Sequence, residues 1–308
     1  MSINEDGHAV FMIDVHTHLY DEKFFPSSSS IHDSQPRDYS ELDQIIEKAK
    51  NQNIQRIIVV SEEDKTAHQV LELCQRYPNV MRGGIGLHPC CVSNEEQIYK
   101  IRDLILDHRD ELCCIGEVGL DFTPGVLNAI KERNLHLQSV EQVKQLQRKA
   151  LEVFIDLSKA TGLPLNVHSR SAGRPTIELL HEKGATHVLM HCFDGSAKVI
   201  KEGLSFGYYF SIPANVIRSK QMQQLVEIVP MDRLLLETDS PALVPNLPEQ
   251  QDFQTKEEFD LSIKRARNDP SNIPLSAQMI AQIKKVSLPQ VLSQMFDNTK
   301  RLFPKAVE

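Results

Sequence analysis

The sequence lacks several features that would place it in large and familiar classes. It has no excess of basic charge: 34 Lys and Arg face 42 Asp and Glu, giving a formal net charge of −8. That balance excludes a broad cationic surface gripping nucleic acid nonspecifically. It leaves room for a local site whose positive charge comes from a bound ion. No apolar run approaches the ~18 residues of a membrane span, and no basic-then-apolar signal stands at the N-terminus, so no membrane association is expected. The six cysteines (Cys74, Cys90, Cys91, Cys113, Cys114 and Cys192) contain no CxxC spacing. They read as buried thiols of a reduced, intracellular protein, cytoplasmic or nuclear. No GxGxxG turn follows the first apolar run, which argues against an open dinucleotide-binding sheet. No short-period repeat is present.

What is there is an alternation. A chain of 308 residues with 41% hydrophobic content can bury a large core, and barrels of roughly 250 residues stand as one domain. Short apolar runs read as strands: "AVFMIDV", "IQRIIVV", "VMRGGIGL", "LCCIGEVGL", "LPLNVHS", "THVLMHC", "GYYFSIP" and "RLLLETD". Amphipathic stretches separate them. The longest, "VEQVKQLQRKALEVFIDLSKATG", sets Val143, Leu146, Ala150, Phe154 and Leu157 on one face and ends at Gly162. Near-continuous apolar strands separated by helices indicate a parallel sheet. Eight such units predict an α/β fold, a (β/α)8 TIM barrel occupying residues 1–308 as one domain. Two further helices near the C-terminus would complete its outer ring. Flexible insertions are expected near residues 22–38, which are Ser- and Pro-bearing, and 244–270, which are long and charged.

Barrel enzymes place reacting groups at the C-terminal ends of their strands. The first run ends in "DVHTHL", where His16 and His18 stand two apart and share one side of an extended chain. The fourth carries Glu117 between Gly116 and Gly119, the fifth ends at His168, the sixth at His191 and the eighth at Asp239. Four imidazoles and two carboxylates thus converge at one mouth, provided the barrel closes. Six such donors exceed the needs of one catalytic zinc, which takes three protein ligands and a water. Two ions fit better: His16, His18 and Asp239 on one, His168 and His191 on the other, with Glu117 bridging. The mixed donors suit zinc, with manganese or iron as alternatives; magnesium, which prefers oxygen, suits them less.

Two divalent ions less Glu117, Asp239 and a bridging hydroxide leave the centre near +1, so an acidic protein can still bind an anion. Such a pair activates water and clamps both oxygens of an in-line displacement, which matches phosphate ester cleavage. Glu237 stands two residues before Asp239 and is expected behind the ligands, orienting one of them or relaying a proton. Asp121 could do the same or cap the following turn. His88, in "GLHPC", and the cations Arg170 and Arg174 are candidate substrate contacts. Lys198, Arg218 and Lys220 lie near the mouth too, and Phe193 is placed to stack on a base. His68, His108, His136, His181 and His187 read as surface or packing residues.

The strings "DVHTHL", "IGEVGLDF", "NVHSR", "HCFDGS", "SIPA" and "LLLETDSPAL" resemble, in order, the signature segments of the TatD family of metal-dependent deoxyribonucleases. The fuller "VHSRSAGRPTI" and "FSIPANVIRS" look most like the family's TatD domain-containing protein 3 branch. The resemblance spans roughly residues 10–304. It implies a barrel of the metal-dependent hydrolase superfamily with a dinuclear centre on His16, His18, Glu117, His168, His191 and Asp239, and a substrate contact for His88. It also implies a DNase, often acting 3′ to 5′ on single strands or 3′ ends. A metal-bridging hydroxide would attack phosphorus, with Glu117 and Asp239 as catalytic residues and Asp239 taking or relaying the proton. No obligatory protein partner is implied. Two alternatives stand beside this reading. One is an amidohydrolase or small phosphoester hydrolase on the same barrel; the other is a binding protein whose zinc is structural.

Overall fold

The computed structural model describes residues 2–3, 9–25, 37–246, 255–256, 262 and 266–308. Most of the two expected insertions therefore lies outside the described residues.

Eight parallel strands form the sheet, paired strictly in chain order: β1 (Met12–Thr17), β2 (Ile54–Val60), β3 (Met81–Ile85), β4 (Leu112–Asp121), β5 (Leu165–Arg170), β6 (Val188–Met190), β7 (Tyr209–Ile212) and β8 (Leu234–Leu236). Closure joins β1 to the segment that leaves β8. A parallel bridge links Thr17 to Ser240. The His18 N–H donates to the Ser240 carbonyl at 2.7 Å, and the Asp239 N–H donates to the His16 carbonyl at 3.0 Å. Asp14, fully buried, fastens the same seam by accepting from the Thr238 N–H at 2.9 Å and from its hydroxyl at 2.5 Å. Asp14, which alternates with His16 and His18 along the first strand and had no role assigned from sequence, thus fastens the first strand of the barrel to the segment after the last. The expected (β/α)8 barrel is present.

Alternation along the strands divides the core. Ile57 and Val59 of β2 belong to the large apolar cluster that the surrounding helices share. Their neighbours Ile58 and Val60 join Ile13, Val15, Leu189 and Leu235 in a second cluster, which Leu302, Phe303 and Ala306 of the C-terminal segment complete. One face of each strand thus packs on helices and the other fills the barrel.

Helices α1 (Ser40–Asn51), α2 (Asp64–Arg76) and α3 (Glu95–Asp107) follow the first three strands. Both α4 (Pro124–Arg133) and α5 (Val140–Thr161) follow β4. Next come α6 (Gly173–Glu182), α7 (Ala197–Ser205) and α8 (Lys220–Ile228), then α9 (Ile273–Lys284), α10 (Leu288–Leu302) and the short α11 (Pro304–Val307). The 22-residue α5 begins at a reciprocal Ser139–Gln142 cap and stops where Gly162 turns left-handed at φ +74°. Of its predicted stripe, Val143, Ala150, Phe154 and Leu157 are buried, and Leu146 is half-buried against the same core. Among the described residues no helix is long and apolar enough to cross a membrane.

Candidate metal centre

The barrel mouth gathers side chains from nearly every strand end. At its centre is Glu117, only 2% exposed. Glycines place it there. At Gly119 φ is +152°, and a Cβ would lie 2.0 Å from the His168 carbonyl oxygen; at Gly116 it would lie 2.6 Å from Asn166 Cβ. Strands β4 and β5 therefore approach too closely for any larger residue on either side of the carboxylate.

The two oxygens of Glu117 face different partners. Oε2 lies 3.4 Å from His16 Nε2 and 3.3 Å from His18 Nε2. Asp239 Oδ1 lies 3.7 and 3.4 Å from the same two nitrogens, which are themselves 3.2 Å apart. A tetrahedral zinc with bonds of ~2.0–2.1 Å has donor atoms about 3.4 Å from one another. His16 Nε2, His18 Nε2 and Glu117 Oε2 already have nearly that spacing, and Asp239 Oδ1 has it toward both imidazoles. On the other side, Oε1 lies 2.8 Å from His168 Nδ1, 3.0 Å from His191 Nε2 and 3.4 Å from His88 Nε2. Donor clusters that can hold an ion thus form on both sides of one carboxylate, His16 and His18 with Glu117 on one and His88 and His168 with Glu117 on the other, while His191 groups with His16 and Glu237.

The outer nitrogen of each ring reveals which lone pair faces inward. His16 Nδ1 lies 2.9 Å from Asn166 Oδ1, whose amide nitrogen donates to the Val15 carbonyl. His18 Nδ1 lies 2.9 Å from the Tyr20 hydroxyl, which donates to Glu62 Oε2 at 3.0 Å. His168 Nε2 lies 3.3 Å from Asp121 Oδ2, and His191 Nδ1 lies 3.4 Å from Glu237 Oε2. The outer nitrogens of His16, His18 and His168 can each donate to an acceptor, leaving the inner lone pair free when the ring is neutral, whereas His191 Nδ1 faces Glu237 at ion-pair distance without a hydrogen bond. His88 is reversed: its Nδ1 accepts the Cys90 N–H at 3.0 Å, so the neutral ring carries its proton on the inward Nε2. His88 is a donor into the site, although its nitrogen sits among candidate ligand atoms.

Electrostatics follow the same geometry. Burial alone would raise the Glu117 carboxyl, but the imidazoles of His88, His191 and His16 outweigh it and hold it well below the usual range. Asp239 is likewise lowered against its burial by His18, His191 and His16. Burial opposes charge on the imidazoles too, yet Asp239 and Glu117 raise His18 well above its ordinary value. Asp121 and Glu117 raise His168, and Glu117 with Glu237 carries His191 up to about 10. For His88 burial wins and the ring is pushed down.

All six expected ligands meet here, and Glu237 and Asp121 stand behind them. Asp121 does both things the sequence allowed, since its second oxygen also accepts the Thr123 N–H at 2.8 Å. Asn166, Tyr20 and Glu62 were not foreseen. Asn166 and Tyr20 each lie two residues from a histidine of the cluster, a spacing that could have flagged them; nothing in the sequence points to Glu62.

The cleft above the cluster has a volume of about 570 Å3 and is lined in part by Lys23, Glu62, Arg170 and Asp194. Arg170 is in place for a substrate contact. Arg174 sits on the first turn of α6, 3.9 Å from Glu178, and is not among the lining residues; nor are Lys198, Arg218 and Lys220. Arg218 instead donates to the Val244 carbonyl. The stacking expected of Phe193 is not available. Its ring is 1% exposed, packed edge-on to Phe210 and close over Gly173 and Gly195.

Comparison with known proteins agrees with this geometry. The pattern of the family described as TatD related DNase matches residues 13–304. The human protein named Deoxyribonuclease TATDN3 is 37% identical over 304 residues, covering 96% of each chain. The structure of a TatD family hydrolase from Entamoeba histolytica superposes with a TM-score of 0.74 at 23% identity, over 96% of this chain and 98% of that one. A Saccharomyces cerevisiae protein described as an uncharacterized amidohydrolase gives 0.72 at 20% identity, over 96% and 100%. At those identities the two structures speak for the fold alone. The full-length family match, joined to two donor clusters at a barrel mouth, shows that this chain is a metal-dependent hydrolase belonging to the TatD related DNase family.

Proposed function

We propose that the chain is a single catalytic domain that cleaves phosphodiester bonds of DNA, removing nucleotides from a 3′ end. Glu117 carries the reading: one buried carboxylate presents each oxygen to a separate set of imidazoles. In this reading His16, His18 and Asp239 hold one divalent ion, His168 and His191 the other, and Glu117 belongs to both. The nitrogen and oxygen donors suit zinc, with manganese or magnesium as the alternatives. When bound, such a pair supplies an activated water and positive charge at both the attacking and leaving oxygens of an in-line displacement.

The chain's own groups would do the rest. Asp239, held ionised, accepts the proton of the attacking water. His88 donates its Nε2–H to a phosphoryl oxygen, and Arg170 pairs with another. Glu237 and Asp121 fix the ring orientation of His191 and His168. The similar human protein is named Deoxyribonuclease TATDN3, which supports DNA as the substrate. All six thiols are free, in keeping with a reducing compartment, cytoplasmic or nuclear.

The test follows 5′-labelled single-stranded DNA with zinc- or manganese-loaded protein beside Glu117→Ala. A ladder shortening from the 3′ end, lost in a variant of unchanged circular dichroism, is the expected result. Full activity in the variant would refute the centre.

One observation favours a second reading, hydrolysis of a small phosphoester or amide. Besides Glu117 and Asp239, the lining of the cleft holds the carboxylates Asp21, Glu62 and Asp194 against the cations Lys23 and Arg170. A run of phosphates finds few partners there. Turnover of a simple diester in preference to every oligonucleotide would establish this reading over the first.

A further inference from the structure

Among the four imidazoles with an inward lone pair, His18 is braced differently. The side chain of His16 is fully buried and those of His168 and His191 are 6% exposed, whereas that of His18 is 12% exposed on the cleft side. His16 and His168 rest directly on an amide and a carboxylate, and His191 lies within ion-pair distance of a carboxylate. His18 rests on a phenol: Tyr20, 5% exposed, stands between its Nδ1 and the Glu62 carboxylate. The direction of this chain is determined at its far end. An ionised carboxylate only accepts, so Tyr20 spends its single proton on Glu62 and must accept from His18. When neutral, as a metal ligand must be, His18 therefore carries its proton on Nδ1 and turns the Nε2 lone pair toward Glu117 and Asp239.

Glu62 is itself pinned at the end of β2. Its N–H donates to the Thr66 hydroxyl at 2.9 Å, and its carbonyl accepts the His88 N–H at 2.8 Å. The anchor of the relay is thus a fixed part of the cleft wall, and one short segment holds both His18, through Tyr20, and the backbone of His88.

We propose that Tyr20 and Glu62 are positioning residues for His18, and that they set the affinity of the ion held by His16, His18 and Asp239 without affecting the ion held by His168 and His191. This rests on the dinuclear reading above. A hydrogen-bonded carboxylate behind a ligating imidazole orients the ring and raises its basicity, and losing such a partner typically weakens metal binding 10–100-fold. Here the phenol transmits the effect of Glu62 across one additional bond.

The experiment is a calorimetric and visible-absorption titration of metal-free protein with cobalt(II), comparing wild type, Tyr20→Phe, Glu62→Gln and Glu62→Ala. Tyr20→Phe is expected to weaken one of two ions about 10–100-fold and leave the other unchanged. Glu62→Gln keeps an acceptor for the phenol but loses the charge, so a smaller loss of the same ion is expected; Glu62→Ala should resemble Tyr20→Phe. Two ions bound by Tyr20→Phe and Glu62→Ala with wild-type affinities would overturn the proposal, as would equal weakening of both ions. A lowered melting temperature of the metal-free variants with unchanged cobalt affinity would show a merely structural role and also overturn it. Wild-type uptake of a single ion would instead refute the dinuclear reading. Glu62→Gln, the mildest change, preserves the test if Tyr20→Phe folds poorly.

Discussion

Metal loading of this centre should expel protons. In the metal-free cluster three carboxylates, Glu117, Asp121 and Asp239, are held below their usual range. Three imidazoles, His18, His168 and His191, are held above theirs, His191 at about 10. Protons thus balance the buried negative charge where ions would otherwise do so. Divalent ions need those imidazoles neutral, so filling both positions at pH 7 should release the His191 proton together with whatever His18 and His168 carry, between about one and three per chain. By linkage, lowering the pH from 7 to 6 should reduce the overall two-ion binding constant about 10-fold for each proton released. The stability of the metal-free protein has the matching sign. Each raised imidazole contributes stability below its ordinary value of 6.5, and for His191 this is lost as pH climbs through about 10. The lowered carboxylates contribute above their ordinary values of 3.8 and 4.5 and lose that as pH falls. Calorimetric zinc titration in buffers of different ionisation enthalpy counts the protons directly. Release below about one proton per chain, or affinity indifferent to pH between 6 and 7, would refute the reasoning.

Two further outcomes follow from geometry. Gly119→Ala would drive a Cβ to 2.0 Å from the His168 carbonyl at a φ of +152°, so β4 and β5 must separate. A loss of more than about 4 kcal/mol or an insoluble product is expected, read by urea unfolding or expression yield. A second outcome concerns salt. Among the described residues Lys23 and Arg170 are the cations lining the cleft, so kcat/KM on single-stranded DNA should fall less than about 10-fold between 50 and 200 mM salt. Proteins making six to ten phosphate contacts lose roughly 10³–10⁵ in affinity over that range. A fall of that size would place a longer basic track on the protein.

The barrel was legible because each strand is a short apolar run and each helix a 3.6-residue stripe, and such periods are local properties of the chain. Strand "IQRIIVV" and the buried stripe of α5 lie where the pattern put them. The convergence of the expected donors was legible for a related reason: a barrel maps sequence order onto angular order, so polar residues at strand ends must meet. Their partners were less legible, because contact across the mouth has no sequence period. Asn166 reaches His16 over 150 positions, and Glu62 reaches Tyr20 over 42. Arg174 shows the reverse error: one turn of helix carried it beyond the lining of the cleft toward Glu178. Phe193 shows another, since apolar packing against Phe210 claimed a ring that sequence alone left free for a base. The sequence by itself determined the fold and which polar side chains reach the barrel mouth, through periodicity and strand-end placement. Only the tertiary structure decided that a neutral His88 points a proton inward while His16, His18 and His168, when neutral, can point lone pairs, because the outer nitrogen of each ring meets a neighbour that folding brings to it.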